Sequence, residues 1–166
     1  MTLTIDVEPL SPVLGAKIRG IDLSKPVDKA TQKMLYQAFV DHSIITIRGQ
    51  DIAPEDHLAF ARRFGSINVN RFFKKLDTHP EIAVVLKEKD QKKAIGERWH
   101  TDHSYDQVPA MGSILHAIEV PPFGGDTPRR PSAAAPLAPR LHDSHMTPLS
   151  LARTMDSSDA RQPHAV

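Results

Sequence analysis

Trp99-His100-Thr101-Asp102, then Pro109-Ala110-Met111-Gly112-Ser113-Ile114-Leu115, then Gly124-Gly125-Asp126-Thr127, are the runs from which fold and chemistry are best read. In an extended backbone, residues two apart point to the same side. His100 and Asp102 can therefore offer an imidazole nitrogen and a carboxylate oxygen to one ion. Non-haem iron(II) centres take two histidines and one carboxylate on one face of the metal and leave the other positions open. A His-x-Asp pair supplies two of those three donors; the second His has to come from far along the chain. Alone, the pair is a weak signal. With nine His and 20 acidic residues in the chain, a His-x-acid pair arises by chance. The plain reading is then a surface histidine beside an acid. His79-Pro80-Glu81 is a second such pair, read here as a loop leading into a strand.

Around these runs the hydrophobic pattern predicts a mostly β core with two early helices. Residues 2–7 alternate as a strand does, and residues 16–23 do so less regularly. Residues 28–41 read as a helix, with Asp28 as N-cap and Met34, Leu35, Ala38 and Phe39 as one apolar face. Residues 44–47 form a short β-branched strand. Residues 54–64 read as a second helix, with Pro54 in its first turn and Gly65 as its stop. Leu58, Ala61 and Phe64 are its expected core face, with Phe60 at one edge. Residues 82–86 are a continuous apolar run suited to a buried strand. Residues 113–120 are a further strand candidate, closed by a turn at Pro121-Pro122 and Gly124-Gly125.

Composition narrows the function classes. A net charge of +1 on 166 residues gives no electrostatic footprint for nucleic acid or a membrane surface. Cysteine is absent, which removes disulfides, thiolate nucleophiles and Cys-zinc sites and fits a cytoplasmic location. The N-terminal residues carry neither a signal-peptide pattern nor a transmembrane run.

Beyond Thr127 the composition breaks. All six Phe, both Tyr and the only Trp lie at or before Phe123, and all eight Gly at or before Gly125. Residues 128–166 hold six of the 14 Pro and contain no Lys, Glu, Ile, Gly or Asn. Such a segment has little to bury and many breakers, so disorder is expected. Two origins compete: a natural disordered tail, and a reading-frame slip in GC-rich DNA, which yields Pro, Ala, Arg, Ser and His. The abrupt loss of five common residue types favours the slip. The division expected is thus 1–127 as a folded part and 128–166 as a disordered or frame-shifted tail.

The three opening runs together resemble the TauD/TfdA (taurine dioxygenase-like) family of Fe(II)- and 2-oxoglutarate-dependent dioxygenases. Upstream runs agree in the same order: Leu14-Gly15-Ala16-Lys17-Ile18 with Gly20-Ile21-Asp22-Leu23, residues 44–48 with Gln50, and Phe60-Ala61-Arg62-Arg63-Phe64-Gly65. The resemblance covers about residues 7–127. It implies an α+β fold that is mostly β with flanking helices, a double-stranded β-helix or jelly roll, incomplete at the C-terminus. It implies Fe(II), 2-oxoglutarate as co-substrate, O2 and a small anionic organic substrate; a homo-oligomer stays open. In a complete enzyme of this kind 2-oxoglutarate is decarboxylated to succinate and CO2 and the substrate is hydroxylated.

Residue by residue, the resemblance gives His100 and Asp102 as iron ligands and Thr127 as the hydroxyl that bonds the 2-oxoglutarate carboxylate. Trp99 reads as core ahead of a wall of the site. Asn70 and Phe73 stand where taurine enzymes place a His and a Tyr on the sulfonate, which argues against taurine itself. His103 is a further candidate to line the substrate pocket, equally read as a packed or exposed residue. Arg71, Lys74 and Lys75 are placed to attract an anion, although exposed surface charge is their ordinary reading. The resemblance also calls for a distal His and, beyond it, an Arg for the far carboxylate of 2-oxoglutarate. His142, His145 and His164, and the arginines after residue 128, stand in no sequence like that segment. A chain with two ligands of three is expected to bind iron weakly, and a jelly roll without its later strands leaves edges unpaired. The competing readings are a non-catalytic chain that binds a ligand or a full-length homologue, and a cupin using local histidines, for which His103 and His116 lack a suitable spacing.

Overall fold

Two glycines set the first sheet. Gly15 and Gly20 bracket the strand β2 (Ala16–Arg19), both with positive φ. At Gly20 (φ +79°) an added Cβ would also meet the Thr4 carbonyl oxygen at 3.2 Å, so the strand stops there instead of running on to residue 23. The computed structural model describes residues 4–87, 106–120 and 149–156, the last of these as backbone. They fall into two units, residues 4–64 and the remainder.

In the first unit, β1 (Asp6–Pro9) lies antiparallel to β2, and β2 lies parallel to β3 (Ile45–Ile47). The parallel pair needs a crossover, and α1 (Lys29–His42) supplies it. Asp28 caps that helix by accepting the Thr31 N–H at 2.8 Å. At the far end Ser43 adopts a left-handed conformation and donates to the Phe39 carbonyl, which closes the helix. The chain then returns to β2, with the Gly15 N–H on the His42 carbonyl and the Ala16 N–H on the Ile44 carbonyl, both at 2.9 Å.

Helix α1 buries Thr31, Leu35 and Ala38. Leu35 and Ala38 were expected there. Met34 is exposed and Phe39 half-buried, so the buried stripe follows an i, i+4, i+7 row that includes a threonine. Helix α2 (Pro54–Ala61) starts with Pro54 in its first turn, and the Asp56 carboxylate accepts the Ala53 N–H at 3.0 Å. It ends three residues before Phe64. Arg63 and Phe64 donate to the Phe60 and Ala61 carbonyls in a tightened last turn, and this, not Gly65, stops the helix. His57, Leu58, Phe60 and Ala61 are buried and Phe64 is half-buried. Phe60 is therefore core, and it meets the Phe64 ring edge-on at 5.2 Å between centroids.

Gln50 explains two of the upstream runs. Its side-chain oxygen accepts the Leu23 N–H at 2.8 Å, and its amide donates to the Ile21 and Arg48 carbonyls at 3.1 and 3.2 Å. One side chain thus satisfies three backbone groups and pins the segment after Gly20 to the turn after β3.

The second unit is a five-stranded sheet. It contains β4 (Ile67–Asn68), β5 (Lys74–Leu76), β6 (His79–Lys87), β7 (Gly112–Ala117) and β8 (Leu149–Asp156). β5 and β6 form an antiparallel pair with an irregularity between Lys75 and Leu76. His79-Pro80-Glu81, read from sequence as a loop, is the first part of β6. Pro80 is tolerated so close to a strand's start, where a missing N–H costs least. β8 pairs in parallel with β4, β6 and β7. It lies inside the segment for which disorder was expected. The composition of 128–166 as a whole conceals a proline-free stretch between Pro148 and Pro163, where apolar Leu149, Leu151 and Met155 recur at even spacing.

Among the described residues the protein is mostly strands with two helices. Jelly rolls are built from antiparallel strands, whereas the pairing around β8 is parallel, so the described sheets do not themselves display a jelly roll.

Candidate functional site

β4 ends at Asn68 and β5 begins at Lys74, and the loop between them carries Asn70 and Phe73. The loop is tightened locally: the Asn70 side-chain oxygen accepts the Phe72 N–H at 2.8 Å, an Asx turn. Asn70 and Phe73 are both half-buried, while Phe72 is exposed. The Arg71 guanidinium lies over the Phe72 ring at 5.0 Å from its centroid and reaches Asp106 at 3.2 Å. Lys74 and Lys75 are exposed on β5, opposite Val84 and Ala83.

The pairing of Arg71 changes its reading. A guanidinium engaged by a carboxylate is not a vacant anion site. Asp106 keeps only 23% of its side-chain surface exposed, against 66% for Arg71. Sequence reasoning gave Asp106 no role, and nothing local marks it. It follows Asp102 by four residues in an unremarkable run, and the partner that makes it informative is 35 residues away.

The metal and co-substrate candidates His100, Asp102 and Thr127, the pocket candidate His103 and Trp99 lie outside the described residues. Of the sequence-derived site residues, the structure therefore places Asn70 and Phe73, together in one loop. Among the described residues no group of three His, Cys, Asp or Glu side chains is arranged to hold a metal. Of the described histidines in this unit, His79 has its Nδ1 2.9 Å from the Thr78 hydroxyl, and His116 sits half-buried in β7 opposite Arg153 of β8. No helix among the described residues is long and apolar enough to cross a membrane.

Comparison with known proteins agrees with the motif reading. The family described as taurine catabolism dioxygenase TauD, TfdA family matches residues 6–135. The chain is 34% identical over 142 residues to the alpha-ketoglutarate-dependent sulfate ester dioxygenase of Pseudomonas putida, covering 80% of this chain and 44% of that protein. It is 28% identical over 143 residues to the alpha-ketoglutarate-dependent 2,4-dichlorophenoxyacetate dioxygenase of Cupriavidus pinatubonensis, covering 75% of this chain and 49% of that protein. The crystal structure of a taurine dioxygenase from Burkholderia xenovorans aligns with 46% of this chain and 28% of its own, at 31% identity and a TM-score of 0.43. The chain spans about half the length, or less, of the curated relatives it matches.

Proposed function

The chain belongs to the TauD, TfdA family of taurine catabolism dioxygenases, and from that premise we propose that it carries the N-terminal share of an iron(II)- and 2-oxoglutarate-dependent dioxygenase site. The observation that carries this reading is that His100-Thr101-Asp102 and Gly124-Gly125-Asp126-Thr127 both fall inside the matched span 6–135. The whole fold proposed is a jelly roll with flanking helices. The substrate proposed is a small organic anion: relatives are named for a sulfate ester and for 2,4-dichlorophenoxyacetate, both anionic classes.

The donor chemistry fits the metal. Imidazole and carboxylate are the donor types that iron(II) oxygenase centres use. Iron(II) with bound 2-oxoglutarate supplies the O2-dependent oxidation, and the protein's part is to position and to exclude. His100 and Asp102 hold the metal through a ring nitrogen and a carboxylate oxygen. The Thr127 hydroxyl donates to the 2-oxoglutarate carboxylate. Asn70 and Phe73 face the substrate, with Phe73 offering an apolar wall where a phenol would offer a hydrogen bond. His103 contributes to the same pocket.

With two ligands of the usual three, the 166-residue chain by itself binds iron(II) weakly and does not turn over. Anaerobic titration with iron(II) and 2-oxoglutarate tests this. Weak binding is expected, lost in His100→Ala and in Asp102→Ala, with no visible charge-transfer band. A clear band with coupled succinate formation would overturn the inactivity, and binding indifferent to both substitutions would overturn the ligand assignment. Sequencing the coding DNA past the codons for residues 124–127 in all three frames tests the missing share. A frame that continues into a distal His and Arg supports the enzyme; no such frame favours a non-catalytic chain.

A further inference from the structure

We propose that Arg71 is a positioning residue: its ion pair with Asp106 clasps the Asn70–Phe73 loop to the chain that leaves the His100-x-Asp102 pair, and it does not receive the substrate anion. This rests on the assignment of Asn70 and Phe73 to the substrate pocket. Three observations converge. The guanidinium is engaged on two sides at once, by the Asp106 carboxylate at 3.2 Å and by the Phe72 ring at 5.0 Å. Its carboxylate partner is largely shielded, with 23% of its side chain exposed, so removing Arg71 leaves a poorly solvated negative charge. The loop between β4 and β5 is itself tightened by the Asx turn at Asn70, which orders Phe72 beside Arg71.

The clasp has a chemical consequence. Only a planar guanidinium can bond a carboxylate edge-on and stack on an aromatic face together. A lysine at position 71 would keep the charge and lose the stacking. Substrate charge must then be met by other groups, and the loop presents Asn70 and Phe73, a neutral amide and an apolar ring, in a fixed setting.

Hydrogen exchange of the full chain, read at the Phe72 amide and across residues 106–112, tests the clasp without reference to activity. Arg71→Ala and Asp106→Asn should each speed exchange in both segments by roughly two- to fivefold, the scale of a partly exposed ion pair. The exchanged pair Arg71→Asp with Asp106→Arg should recover most of the protection, and Arg71→Lys only part of it. Exchange that is unchanged in the single variants, unrecovered in the exchanged pair, or already fast in both segments of the unaltered chain overturns the proposal. Adding sulfate at constant ionic strength supplies a second arm. Protection that persists supports the clasp, and loss of protection with sulfate bound at Arg71 shows an anion site instead. None of these outcomes depends on iron binding, so failure of the clasp and failure of the dioxygenase reading remain separate results.

Discussion

Residues 4–64 and the five-stranded sheet of the second unit are built from different kinds of information. In the first unit nearly every boundary has a local cause: Asp28 and Ser43 bound α1, Pro54 and Asp56 start α2, and Gly20 ends β2. In the second unit β8, from near the end of the sequence, pairs with three strands that precede it by between about 30 and 80 residues. No local signal specifies those partners. Short-range order is cheap in chain entropy, whereas each long-range pairing must first close a loop. The first unit should therefore respond to single side chains and caps, and the second to loss of one strand.

The largest expected effect is in the first unit. Leu35 is fully buried, and Leu35→Ala should cost about 2–5 kcal/mol, measured by urea unfolding followed through the helical signal. Hydrogen exchange in β6 and β7 should change much less than in α1 and β2. Equal loss in both places would break the comparison and show the units to be energetically one.

A complementary test comes from the sheet. Ala152 of β8 stands opposite Ala83 of β6 and Leu115 of β7. A proline there removes a ladder donor in the middle of a paired strand. Ala152→Pro should strip exchange protection from β6 and β7 while β1–β3 keep theirs. Retained protection in β6 would show that the sheet does not depend on β8.

Smaller in scale, Asp28→Ala removes the side-chain acceptor for the Thr31 N–H and should destabilise the first unit by about 1 kcal/mol. Restoring most of that loss with Asp28→Ser, seen as recovery of the urea midpoint, would sharpen the assignment to capping.

The smallest effect is electrostatic. The Asp22 carboxylate is held down to about 2 by the Lys25 ammonium and by the Ser24 hydroxyl and N–H. Because its folded value lies below the ordinary 3.8, its contribution to stability is present above about pH 4. That contribution is lost as pH falls through about 2. The carboxylate faces solvent, so added salt should weaken the effect. An NMR titration should place the Asp22 midpoint near 2 and move it upward in Lys25→Ala; an unmoved midpoint would assign the shift to Ser24 alone.

Local pattern and the family motifs made the first unit largely legible. Asp28 is readable as a cap, the helix bounds lie within a few residues of those the pattern predicts, and Gln50 belongs to a motif that its three backbone bonds explain. Errors came where burial depends on neighbours. Met34 is apolar yet exposed, and Thr31 is polar yet fully buried. Their sequence spacing allows either face to turn inward until the sheet beneath selects one.

For the candidate site, the described structure places Asn70, Phe73 and Arg71. The sequence by itself determined the family, through motifs that fall inside the matched span 6–135, and it offers His100, Asp102 and Thr127 as the proposed metal and co-substrate residues. It also determined the helix and strand starts where caps and glycines act within a few residues. Only the tertiary structure decided that Arg71 is already paired with Asp106, that His79 belongs to a strand, and that residues 149–156 lie within a sheet. Each of these depends on a partner distant in sequence. A side chain's spacing says what it can bind, while which group reaches it first is settled by how the chain packs.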